Sequence, residues 1–119
     1  MPHSTAFQPG QRVLSDAEPE LGLGIIEAVS PRRLTVTFPA SESRRTYALP
    51  APPLHRLRFA PGDRVTLRDG EILTVEDVGE ANGILIYRGR TAQDAWRKAP
   101  ETDLDDHLRL DRPRDRLLA

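Results

Sequence analysis

The chain has 119 residues, of which 38% are hydrophobic and 5% aromatic, and it contains no cysteine. That length allows one ordinary domain or two very small ones, and the lack of cysteine excludes disulfides and thiolate metal sites. A net charge of −1, from 17 basic and 18 acidic residues, does not favour a non-specific nucleic-acid binder, which is clearly basic as a rule.

In chain order, Met1 to Ala6 carries neither a basic cap nor an apolar stretch, so no signal peptide is legible. No window approaches the ~18 apolar residues of a membrane span, and a soluble cytoplasmic protein is expected. Phe7-Gln8-Pro9-Gly10-Gln11-Arg12-Val13 then introduces a motif that returns as Phe59-Ala60-Pro61-Gly62-Asp63-Arg64-Val65, offset by 52 residues with five of seven positions identical. Proline fixes φ and glycine supplies φ > 0, so each Pro-Gly makes a tight turn that launches a strand. The preceding Phe plugs one end of a small core.

Alternation after the first turn predicts strands over Arg12 to Ser15, Gly24 to Val29, Arg33 to Phe38, Arg44 to Leu49 and Leu54 to Arg58. The run Leu49 to Leu54 is too rich in proline for a central strand and reads as a stiff connection. The second unit repeats the plan over Arg64 to Leu67, Ile72 to Val78, Gly83 to Arg88, Ala95 to Lys98 and His107 to Leu110. Asp69-Gly70 and Asn82-Gly83 are hairpin turn signals between its strands. Helices are minor, with single helical turns allowed at Asp94 to Lys98 and Thr102 to Leu108. The expectation is an all-β chain of two small five-stranded antiparallel barrels, residues 1–58 and 59–119. Each alone would bury only roughly 60% of its unfolded surface, so the two gain by packing on each other. Phe59 follows Arg58 with no linker, which implies a fixed mutual orientation.

Several residues reach beyond this pattern. Gly10-Gln11-Arg12, Ser15-Asp16, Glu20 to Gly24, Phe38-Pro39, Arg45 to Ala48, Phe59 to Asp63, Asn82-Gly83 with Leu85 and Tyr87, and Arg112 to Ala119 together resemble the opening of the RapA (HepA) family of RNA polymerase-associated ATPases. The resemblance covers nearly the whole chain and departs most between Thr91 and Asp105. It implies tandem Tudor-like, KOW-like barrels acting as a regulatory and interaction module. The implied partners are bacterial RNA polymerase and the cognate SWI/SNF-type ATPase domain, with nucleoid association through polymerase. The family's motor motifs are absent from this chain: there is no Gly-x-x-x-x-Gly-Lys-Ser/Thr loop and no acidic Mg²⁺-binding companion. ATP hydrolysis is therefore not expected of it, whether it is an excised domain or a stand-alone relative.

Site chemistry is sparse. His3, His55 and His107 lie far apart, so no metal site or cofactor is expected. No serine has a nucleophile-elbow context. Three rings per unit, Phe7, Phe38 and Tyr47, then Phe59, Tyr87 and Trp96, are too few for a methyl-lysine cage once the cores are filled. Trp96 is the best surface anchor. The acidic run Glu101, Asp103, Asp105 and Asp106 lacks calcium-loop spacing and reads as a surface that repels nucleic acid or meets a basic protein, with no neighbouring His partner. Residues 7–58 hold 7 Arg against 5 acidic residues, whereas 59–110 hold 7 basic against 11 acidic. The candidate partner-binding residues are thus Arg32, Arg33, Arg44, Arg45, Arg56, Arg58 and Trp96. Ordinary solvated strand faces are the alternative for the arginines, and RNA is the alternative partner.

Overall fold

Both Phe-x-Pro-Gly motifs form the same turn in the computed structural model, which describes residues 7–107. Gln11 N donates to Gln8 O at 3.3 Å and Asp63 N to Ala60 O at 3.0 Å. Gly10 and Gly62, third in each turn, have φ of +94° and +98°, the conformation a type II turn asks of that position. Each turn is locked to the next strand in the same way. Gly10 N donates to Ile26 O and Ile26 N to Gln11 O, while Gly62 N donates to Val75 O and Val75 N to Asp63 O.

The first turn launches β1 (Arg12–Ser15), followed by β2 (Gly24–Val29), β3 (Arg33–Phe38), β4 (Ser43–Ala48) and β5 (Leu54–Arg56). They form an antiparallel sheet of order β4-β3-β2-β1-β5. The second turn launches β6 (Arg64–Thr66), then β7 (Ile72–Ala81), β8 (Ile84–Thr91) and β9 (Trp96–Pro100), an antiparallel sheet of order β6-β7-β8-β9. Each sheet has one bulge in its second strand, between Ile26 and Ala28 and between Val75 and Asp77. The extra residue is a glutamate both times, Glu27 and Glu76, and the bulge sharpens the bend of the strand. At Asn82-Gly83 the register pairs Ala81 with Ile84, and both turn residues have positive φ, so this is the two-residue hairpin the dipeptide signals.

The chain is all-β, with no α-helix among the described residues; three short 3-10 turns occupy Pro19–Leu21, Pro39–Ser41 and Glu101–Asp103. Two expectations need correction. The segment Asp94 to Lys98 holds no helical turn, because Asp94 takes a φ of +62° and the chain then extends into β9. Of the helical turn expected over Thr102 to Leu108, the described part is a 3-10 turn one residue earlier, ended by the extended Leu104. Among the described residues the second sheet has four strands. Its expected last strand, His107 to Leu110, lies mostly outside the described residues, as does the Arg112 to Ala119 segment. The place beside β6 is taken by Asp103–Asp105. Leu104 bridges Leu67, Arg68 N donates to Asp103 O, and Asp105 N donates to Thr66 O. Burial of Leu104 sets that register.

Two apolar cores result. Val13, Leu21, Ile26, Leu34, Val36, Phe38 and Leu54 fill the first unit, with Phe7 and Tyr47 half-buried against them. The other core is shared. Leu23 and Leu57 of the first unit sit among Phe59, Val65, Leu67, Leu73, Val75, Leu85, Tyr87, Ala99 and Leu104, and Leu14 and Ile25 pack against the cluster. The two units are packed on each other through this common interior.

Candidate interaction surfaces

The contact between the units is built around a carboxylate. Glu101, fully buried in the 3-10 turn after β9, accepts hydrogen bonds from Arg12 N at 2.9 Å and Leu85 N at 2.6 Å. Its second oxygen also takes the Arg56 guanidinium at 2.6 Å. Arg12 is buried as well and donates to the carbonyls of Gly10 and Thr102. Burial pushes its guanidinium below the usual range, helped by the nearby charge of Arg68. Gln11 donates to Gly83 O and Gln8 to Asn82 O, so the first turn motif grips the hairpin of the second unit. The acidic run is therefore not one surface. Glu101 is internal, a role hidden in the sequence because nothing local marks which acidic residue will meet Arg56 from the other unit.

The candidate arginines are dispersed. Arg32 and Arg33 are exposed at the β2–β3 turn, closed by Ser30 and Arg33. Arg44 and Arg45 lie across from Thr37 and Val36 near the far end of β3. Arg33 and Thr37 are four positions apart on the strand, about 13 Å, so the two pairs do not form one patch. Arg44 pairs with the bulge residue Glu27 at 3.1 Å, and Arg45 with Glu18 at 3.2 Å, a hydrogen bond that raises the Arg45 guanidinium above its ordinary range. Arg56 is committed to Glu101. Arg58 is exposed, and among the described residues it has no ion pair, like Arg32 and Arg33.

Trp96 is the one exposed aromatic ring among the described residues, 54% accessible on the edge strand β9. Arg90, its register partner on β8, places its guanidinium 5.5 Å from the ring centroid. Phe38, Phe59 and Tyr87 are core residues, and Phe59 meets Tyr87 edge-on with centroids 6.0 Å apart. Burial pushes the Tyr87 phenol up.

The remaining acidic residues gather at the end of the described chain. Asp105, Asp106 and His107 bring ligand-type atoms within 4.8 Å of one another, so His107 does stand beside the acidic run, contrary to the reading above. Asp106 is already paired with Arg68 at 3.1 Å and with His107 at 3.1 Å. A shallow depression lies among Asp69, Gly70, Glu71, Ile72, Ala92 and Gln93. Arg97 bridges Asp69 and Glu71 at its rim, and the Glu71 amide, then Arg97, hold the Asp69 carboxyl below the usual range. No helix among the described residues is long and apolar enough to cross a membrane.

Two small sheets raised from one turn motif and fused through a common core define a tandem Tudor-like module. A family model described as RapA N-terminal Tudor like domain 1 matches residues 7–57, and another, RapA N-terminal Tudor like domain, matches residues 59–119. The chain belongs to this family of RapA N-terminal Tudor-like domains. It is 50% identical over 113 residues to the RNA polymerase-associated protein RapA of Pseudomonas aeruginosa (strain LESB58), covering 95% of this chain and 12% of that protein. The same coverage holds at 45% identity for the RapA of Stutzerimonas stutzeri (strain A1501) and at 44% for that of Pseudomonas fluorescens (strain Pf0-1). The chain thus spans about an eighth of the length of these relatives.

Proposed function

We propose that this chain is a non-catalytic interaction module of the cytoplasm that docks on bacterial RNA polymerase, and so associates with the nucleoid. Its two units, residues 1–58 and 59–119, act as one body. The observation that carries the reading is the buried Glu101, which accepts from Arg12 and Arg56 of the first unit and from Leu85 of its own and so joins the two units. Similarity to polymerase-associated proteins over 95% of the chain supports the choice of partner. Restraint of a cognate ATPase domain is compatible with the same docking role. Arg32, Arg33 and Arg58 are the first-unit cations open to a partner, with Arg44 and Arg45 available by exchange of their exposed ion pairs and Trp96 as the anchor. Direct RNA binding is disfavoured by the near-neutral charge and by the pairing of Arg44, Arg45 and Arg56.

The test is direct binding of the chain to purified core RNA polymerase, beside filter binding to single-stranded RNA at two salt concentrations. Polymerase binding is expected. RNA binding that falls steeply with salt, without polymerase binding, refutes the reading in favour of an RNA module.

A further inference from the structure

The internal repeat exposes a vacant counterpart of the contact between the units. Strand pairing gives the correspondence: Arg12 opposite Ile25 in the first sheet matches Arg64 opposite Thr74 in the second, and Val13 opposite Gly24 matches Val65 opposite Leu73. One step along, Leu23 matches Ile72. In the first unit this outer face is the one that meets the second unit. Leu23 is fully buried in the shared core, Ile25 packs against it, and Arg12 is 2% exposed. In the second unit the same positions face solvent: Ile72 is 44% accessible, and Thr74 and Arg64 are exposed.

The row continues across the second sheet. Arg64 pairs with Thr74, Thr74 with Arg90, and Arg90 with Trp96, so one outer row runs Arg64, Thr74, Arg90, Trp96. The next row sets Arg88 directly opposite Lys98, a like-charge pair that costs stability. Arg88 is compensated by Asp77 and Arg90 by Glu76, whereas Arg64 and Lys98 have no ion pair among the described residues. Two large apolar side chains thus lie in the open beside two uncompensated cations, the profile of an interface rather than of an ordinary solvated face.

We infer that this outer face of β6–β9 is a second docking interface, occupied by a protein surface that presents carboxylates to Arg64 and Lys98 and aliphatic groups to Ile72 and Trp96. The first unit supplies the template, since the side chains of the shared core cover its Leu23 and Ile25, and the charges of Glu101, Asp106 and Asp103 act on its Arg12 guanidinium. A nucleic-acid strand fits less well. Glu76, Asp77 and Asp94 line the same face, and two uncompensated cations do not track a phosphate backbone.

The inference rests on the polymerase-docking reading and is tested with it, using the 119-residue chain and purified core RNA polymerase. Ile72→Asp, Arg64→Glu and Trp96→Ala are expected each to weaken binding at least about tenfold, and Arg33→Glu on the first unit to weaken it less. Circular dichroism melts check that the variants fold, and Ile72→Ser serves if Ile72→Asp does not. Wild-type affinity in all three face variants overturns the inference and the anchor role of Trp96, and leaves docking on polymerase itself standing. Failure of the wild-type chain to bind polymerase overturns both. Loss of single-stranded RNA binding in the same variants, with polymerase binding intact, assigns the face to nucleic acid and overturns it also.

Discussion

Arg56 and Glu101 meet at 2.6 Å across the two units, the cation 27% accessible and the carboxylate not at all. The pair is reinforced by two backbone amides, one from each unit, so Glu101 is a buried charge whose partners are all supplied by folding. Glu101→Ala removes every one of these acceptors at once and leaves a cation and two amides unpaired. A loss of about 3–5 kcal/mol is expected in urea unfolding. Arg56→Ala leaves the amides in place and should cost less, about 1.5–3 kcal/mol. Equal effects from the two variants would show that the amides contribute nothing.

Gly83 and Gly70 both sit at positive φ, +84° and +90°, but in different surroundings. A Cβ on Gly70 meets nothing within 4 Å, whereas one on Gly83 runs into the Gln8 side chain. Gly70→Ala should cost about 1–2 kcal/mol from backbone strain alone, and Gly83→Ala measurably more. Adding Gln8→Ala to Gly83→Ala should recover part of the excess in a double-mutant cycle. Additive costs would mean that Gln8 does not press on this hairpin.

These contacts mark where sequence reading stops. The strands were legible because alternation and turn chemistry are local: β1, β2 and β3 run over the residues the pattern predicts, and Pro-Gly, Asp-Gly and Asn-Gly supply the positive φ their turns need. The seat of Leu104 beside the end of β6 was not, because it is set by a contact with Leu67 that no local period encodes. Identical motif positions also diverge. Arg12 and Arg64 occupy the same place after Pro-Gly, yet one is buried under the other unit and the other faces water. Charge counting treated Arg56 and Glu101 as surface residues for the same reason. Trp96 was legible as the exposed ring by elimination, since the other rings were needed inside.

The exposed pairs Arg44–Glu27 and Arg45–Glu18 should contribute little to stability. Arg44→Ala and Arg45→Ala are each expected to leave the urea unfolding midpoint nearly unchanged, with any difference shrinking in high salt. A larger loss would give these residues a structural role like that of Arg56 and remove them from the binding surface.

Trp96 is the sole tryptophan of the chain, so its fluorescence reports the outer face of the second sheet and nothing else. At 54% exposure its emission should be quenched readily by acrylamide in the folded protein. Arg90→Ala, which strips the cation from the ring, should increase quenching while costing about 0.5–1 kcal/mol at most. Quenching unaffected by that substitution would show that Arg90 does not cover the ring in solution.

The shared core also imposes an order on biogenesis. The ribosome delivers Leu23, Leu57, Arg12 and Arg56 well before Glu101 and Leu104, the residues that cover them. The amino-terminal half therefore emerges with an apolar flank and two cations waiting for chain still inside the exit tunnel. Final closure belongs to the last-made part of the fold, so a nascent chain truncated after residue 58 should be the aggregation-prone species, while the finished tandem is not.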